Sequence, residues 1–195
     1  MKVPLGGLPR EGVQRLLELA RDTGALRYGD FTLSSGQKTT YYFDGRLLTL
    51  DHEGAYIIGR LVLELSRQAG ADVIGGPTIG ADPIVGAVLV TSQIQGTGIR
   101  GFIVRKEVKG HGTGQLIEGH LKKGDCVAIV DDTCTTGGSL IHAIGAAEEA
   151  GGRVVKVMVI VDRHQGGSEE INRRGYAFTS LIETAPNGQL HASGI

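Results

Sequence analysis

In the stretch VAIVDDTCTTGGSL, residues 127–140, a continuously apolar run ends in two adjacent acids and gives way at once to hydroxyls and glycines. Such a run suits a strand buried on both faces of a parallel sheet. Asp131 and Asp132 would then stand at its carboxyl end, where sheets of this kind bind ligands. Residues 133–138 supply hydroxyls and backbone N–H groups able to wrap an oxyanion, and a following helix would aim its positive dipole end at the same point. Carboxylates about 4 Å from a bare phosphate would repel it by ~1 to 4 kcal/mol, so the ligand must also bring donors or a cation to the acids. A ribose diol carrying a 5-phosphate satisfies both halves. The alternative is a solvated strand-to-helix turn in which the two acids merely cap.

Four further stretches carry groups suited to chemistry. In VRKEVKGHGTG, Arg105, Lys106, Lys109 and His111 fall within seven residues, a concentration that suits a polyanion, and glycines 110, 112 and 114 would let the segment close over a substrate and shed water. A solvated basic hairpin is the plainer reading of the same residues. Five of the chain's aromatics (five Tyr and four Phe in all) crowd together as Tyr28, Phe31, Tyr41, Tyr42 and Phe43, which offers a planar base a face to stack on or simply builds a core strand. Arg163 follows the apolar run VIVD and could grip a carboxylate through its fork, or form a surface ion pair. The turn GGPTIGADP, residues 75–83, could meet phosphates through backbone amides or be an ordinary strand-to-helix turn.

Other chemistries are excluded. No G-x-x-x-x-G-K-[ST] occurs, and the one G-x-G-x-x-G, GTGIRG at 96–101, ends a helix and opens a strand, the reverse of the dinucleotide context. Cys126 and Cys134 are too few for a zinc cluster, and His52, His120, His142 and His191 show no metal spacing. A formal charge of -1 argues against nucleic-acid binding through bulk electrostatics. The longest apolar runs fall far short of the ~18 residues of a membrane span. The opening MKVPLGGLPREG lacks the apolar core of a secretory signal, so a cytoplasmic location is expected.

These groups need a scaffold, and 195 residues with 41% hydrophobic content suit one domain, residues 1–195. The 32 glycines, about twice the usual ~7%, mark many turns. Helical spacing over residues 11–22 predicts an amphipathic helix closed by Gly24, two short strands flank a break at residues 34–36, and Asp51 is placed to cap a helix. From residue 71 strands and helices alternate: ADVIGG, a helix over 83–93, GFIVRK, DCVAIVDD, a helix from Gly138, RVVKVMVIVDR, a short helix near 169–174, and AFTSLIET. This order predicts an α/β fold, a mostly parallel twisted sheet with helices on both faces. The tail from Ala185 reads as polar and frayed.

VAIVDDTCTTGGSL closely resembles the phosphoribosyl pyrophosphate (PRPP) motif of type I phosphoribosyltransferases. That resemblance implies their fold, with a small hood built mainly from residues 1–50 and a C-terminal strand. It also implies a 5-phosphate loop of Thr133, Cys134, Thr135, Thr136, Gly137, Gly138 and Ser139, with Asp131 and Asp132 at the ribose hydroxyls. Two more stretches, FTLSSGQKTTYYFD and RKE-x-K-x-HG, resemble orotate phosphoribosyltransferases, which transfer the phosphoribosyl group of PRPP to orotate in the synthesis of UMP. What the family implies here is that Tyr42 and Phe43 line the base and that Thr135 and Arg163 contact orotate. Lys109 and His111 would neutralise the leaving pyrophosphate, and Arg105 and Lys106 would hold it. It further implies a homodimer in which the loop of residues 105–114 completes the neighbouring site, with Mg²⁺ carried by PRPP rather than by a protein cage. The turn at 75–83 resembles the one that contacts pyrophosphate. This chain departs from many relatives in having Ser34 and Gly80 where they carry lysines. A purine-type phosphoribosyltransferase would share the PRPP loop without needing Arg163 at a carboxylate. A non-catalytic PRPP-sensing regulator would be expected to lack the RKE-x-K-x-HG loop.

Overall fold

A computed structural model describes residues 9–32, 38–107 and 116–194. Among them a seven-stranded sheet runs in the order β5-β4-β3-β6-β7-β8-β9. Its strands are β3 (Val73–Pro77), β4 (Arg100–Val104), β5 (Ile117–Gly119), β6 (Cys126–Cys134), β7 (Arg153–Asp162), β8 (Phe178–Thr184) and β9 (Leu190–Ala192). The five central strands pair in parallel, and short antiparallel strands close both edges. A separate antiparallel hairpin joins β1 (Leu26–Thr32) to β2 (Lys38–Phe43). The expected break between these strands, at residues 34–36, lies outside the described residues.

The alternation of each central strand sorts its side chains into two cores. Ile74, Ala128, Val130, Met158 and Ile160 face α1 (Pro9–Asp22), α3 (His52–Gln68) and α4 (Ala81–Ile94). Val73, Val127, Ile129, Val157 and Val159 face α5 (Gly138–Glu149) and α6 (Gly167–Arg173). Each Val, Ile or Met side chain so buried contributes roughly 1.5 to 3 kcal/mol, and burial on both faces is why these strands read as unbroken apolar runs.

The helix boundaries follow local chemistry. Asp51 caps α3 by accepting from the Glu53 and Gly54 amides, both at 2.9 Å. Gly24, at φ 73°, follows α1 in the left-handed conformation that glycine adopts without strain. GTGIRG leads from the end of α4 into the start of β4, at the end of the sheet away from the carboxyl ends of its parallel strands.

The sequence expectation fails in three short places. The tail is not frayed: residues from Ala185 turn back as β9, Leu190 is buried, and the Ser193 amide donates to the Leu181 carbonyl at 3.0 Å. Strand β5 and the helix α2 (Gly45–Thr49) also went unread. The tail meets the hairpin through Tyr41, whose hydroxyl lies 3.3 Å from Thr184 Oγ1, and Tyr28, whose hydroxyl accepts from the Leu190 amide at 3.3 Å. The hairpin is thereby set over the carboxyl end of β8. No helix among the described residues is long and apolar enough to cross a membrane.

Candidate active site

A cleft of about 380 Å³ opens where β3, β4 and β6 end. Its floor is Asp131 and Asp132, one wall is the loop to α5, and the other walls are the turn after β3 and the start of α2. Of the residues singled out in the sequence, the cleft gathers Tyr42, Phe43, Lys106, Asp131, Asp132, Thr133, Thr135, Thr136, Gly137, Gly138 and Ser139.

Strand β6 delivers the acids because it runs two residues past them, to Cys134. Asp131 is 7% exposed, and its Oδ1 accepts from the Asp132 amide at 2.9 Å. Burial first, and the neighbouring Asp132 charge second, push the Asp131 carboxyl up to about 8. The shift favours the protonated form of Asp131 in the free cleft. Gly137, at φ 77°, occupies the N-cap of α5 with no side-chain cap, which leaves the first amides of α5 to an external acceptor. The loop is braced from below: the Gly167 amide donates to the Thr135 carbonyl at 3.0 Å, and a Cβ at Gly167 would fall 2.7 Å from the Gly137 nitrogen.

Cys134 belongs to that brace. Its side chain is 1% exposed within the α5 and α6 core, and burial pushes the thiol up to about 12, so the side chain offers the cleft nothing. Phe43 borders the cleft, yet it is only 3% exposed and its ring belongs to the core, as does Tyr41. Side chains alternate along β2, so Tyr42 is the one that keeps an accessible ring, 5.8 Å from Phe31.

Two expected residues lie beside the cleft rather than in it. Arg163 lines an adjoining cavity between the hairpin and the C-terminal strands. Its Nη2 donates to the Phe43 carbonyl at 3.1 Å, and its Nε is buried with no partner among the described residues. Arg105 turns toward β5, with Nη1 3.6 Å from Glu118. Its carbonyl accepts from His142 at 2.9 Å when that Nε2 carries the proton. Lys109, His111 and Ser34 lie outside the described residues.

The sequence reading missed Asp44, Gly45 and Arg46, which border the cleft together with Thr78 and Ile79 of the expected turn at 75–83. The signal for the first three was FDGR, directly after the aromatics. Gly45 and Gly80 have a shared reason: a Cβ at Gly45 would come within 2.7 Å of Asp132 Oδ2, and one at Gly80 would run into Asp131 Oδ1. Both backbones lie directly on the acids.

Residues 48–180 match the family model of the phosphoribosyl transferase domain. The orotate phosphoribosyltransferase of Thermosynechococcus vestitus is 48% identical over 173 residues, covering 87% of this chain and 89% of the relative. The chain belongs to the orotate phosphoribosyltransferase family. The Aquifex aeolicus orotate phosphoribosyltransferase is 41% identical over 179 residues, covering 90% of this chain and 96% of the relative. In three dimensions, the Mycobacterium tuberculosis H37Rv orotate phosphoribosyltransferase in complex with PRPP aligns with a TM-score of 0.75 at 38% identity, over 91% of this chain and 99% of that one. The α/β architecture expected from the sequence is thus the type I phosphoribosyltransferase fold.

Proposed function

We propose that this chain transfers the phosphoribosyl group of PRPP to orotate, giving orotidine 5'-monophosphate and pyrophosphate in pyrimidine biosynthesis. The observation that carries the reading is the meeting of paired acids and an uncapped α5 N-terminus in one cleft, beneath an aromatic hairpin and beside the half-buried guanidinium of Arg163. The amides and hydroxyls of 133–139 take the 5-phosphate, and Asp131 and Asp132 accept from the ribose hydroxyls. Cys134 serves the same loop from its buried side. Tyr42 offers its ring to the pyrimidine, and Phe43 holds the strand in the core. The Arg163 guanidinium and the Thr135 hydroxyl are the donors for the orotate carboxylate and ring oxygens.

In the reaction the bond from C1' of ribose to the pyrophosphate oxygen breaks, and the electron pair leaves with pyrophosphate. The deprotonated N1 of orotate supplies the pair of the new bond. Orientation and stabilisation of charge are what the protein adds. The side-chain oxygens of Asp131 and Asp132 lie beneath the ribose as positive character builds there. Lys106 faces the departing pyrophosphate, with Lys109 and His111 assigned to the same task from the sequence. Arg105 points out of its own cleft, which supports a homodimer in which the loop of residues 105–114 serves the neighbouring site.

The donor set fits Mg²⁺ carried by the substrate: the cleft offers hard carboxylate oxygens, and no group of three His, Cys, Asp or Glu side chains able to hold a metal occurs among the described residues. When bound, Mg²⁺ neutralises pyrophosphate oxygens and strengthens pyrophosphate as a leaving group. The hairpin with the C-terminal strands is the hood of a single domain, and the enzyme works in the cytoplasm.

Arg163→Ala tests the assignment of the base. The expected result is a rise of more than tenfold in KM for orotate with KM for PRPP within twofold of the parent; equal weakening of both would remove Arg163 from the orotate carboxylate.

A further inference from the structure

Among the described residues bordering the cleft, the acids Asp44, Asp131 and Asp132 face two cations, Arg46 and Lys106. A pyrophosphate at the turn of residues 78–80 needs more positive charge than this turn supplies, because Gly80 carries no side chain and its backbone lies against the Asp131 and Asp132 carboxylates. A side chain at this position would have to displace those carboxylates.

Arg46 stands across that gap, on the first turn of α2. Asp44 fixes it in a fork: Nε donates to Asp44 Oδ1 at 3.0 Å and Nη2 to Oδ2 at 3.1 Å, while the Arg46 amide donates to the same Oδ1 at 3.1 Å. Those bonds leave Nη1 for the cleft. The residue before Arg46 packs on Asp132, since a Cβ at Gly45 would fall 2.7 Å from Asp132 Oδ2. Asp132 in turn abuts Gly80, so the backbones of Gly45 and Gly80 bracket its carboxylate. The field of Asp132 adds to that of Asp44 in raising the Arg46 guanidinium above its usual range, the Asp44 hydrogen bonds being the larger cause.

We propose that Arg46 binds the pyrophosphate group of PRPP, supplying from α2 the cation that the β3 turn lacks at Gly80. Resting on the PRPP reading above, it assigns Arg46 to the leaving group and not to the base, whose carboxylate falls to Arg163 on the far side of Phe43. Asp44 is the positioning residue that holds the fork. The guanidinium is pre-organised, so little side-chain entropy is lost when an anion arrives.

Steady-state kinetics in both directions, with calorimetric binding of Mg²⁺-pyrophosphate, test this on Arg46→Ala, Arg46→Gln and Asp44→Asn. Arg46 is half-exposed, so its loss leaves the core intact, and Gln keeps most of the stem. The expected result is at least a tenfold rise in KM for PRPP and in the pyrophosphate Kd for both Arg46 variants, with KM for orotate within twofold. Asp44→Asn, which keeps an acceptor for the α2 amide, should give a smaller rise of the same kind. Pyrophosphate and PRPP constants within twofold of the parent would overturn the proposal, as would a rise confined to orotate. Arg46-dependent pyrophosphate binding in a parent protein that forms no orotidine 5'-monophosphate would overturn the orotate reading and leave Arg46 at pyrophosphate.

Discussion

Replacing Asp131 with Asn should stabilise the free protein increasingly as pH rises, while abolishing most of its activity. Asp131 is 7% exposed and its carboxyl is pushed from 3.8 to about 8, chiefly by burial. Below pH 4 the side chain is protonated whether the chain is folded or not, and Asp131 contributes nothing to pH dependence. Between pH 4 and 8 the unfolded chain releases that proton and the folded chain keeps it, so the group's contribution to stability falls by ~1.4 kcal/mol per pH unit. Above pH 8 both states are ionised and the penalty levels off. Asn carries no such penalty, although its amide needs partners worth ~1 to 3 kcal/mol in the same place. From pH 5 to pH 8 the stability difference between the Asp131→Asn variant and the parent should therefore grow by about 3.6 kcal/mol, or roughly 7 to 14 °C in Tm for a chain of this size. Urea melts of both proteins across this range read the difference directly, because every other titrating group is common to both. A difference that stays flat, or shrinks with pH, would mean that Asp131 is ionised in the free cleft and would refute the account of its burial.

The remaining predictions concern the cleft and its approach. Gly80→Lys, which restores the residue type of many relatives, should lower kcat/KM at least tenfold, because its Cβ meets the Asp131 carboxylate; improved turnover would show that the turn has room. Lys109→Ala should reduce kcat by well over threefold, since a developing charge loses its partner, and single-turnover rates within threefold of the parent would remove Lys109 from the reaction.

The parts of this site that could be read in the sequence are those coded by contiguous residues. A buried parallel strand needs an unbroken apolar run, so VAIV fixed the place of Asp131 and Asp132, and the glycines and hydroxyls after it marked the opening of α5. Asp51 declared itself as a cap because a single carboxylate serves two amides. Elements of three to five residues gave no such signal: β5 and β9 are short edge strands that exist through antiparallel pairing with β4 and β8, and α2 is one turn held by Asp44. The same applies to side-chain direction. Which way Arg105 turns depends on Glu118, and Cys134 faces the core because Gly167 leaves room for its sulfur. Phe43 and Tyr42 looked equivalent as neighbours in an aromatic run, yet strand alternation sends one ring into the core and leaves the other accessible. Arg46 went unread because its meaning lies in the space that Gly80 leaves open.

The central claim is base choice at a PRPP site. Pyrophosphate release from PRPP and Mg²⁺ should be followed with orotate, uracil, adenine and hypoxanthine as acceptors. The account predicts turnover with orotate at a kcat/KM at least a hundredfold above that for each of the other three, because only orotate brings a carboxylate to Arg163. Comparable turnover with uracil, or preference for either purine, would contradict it.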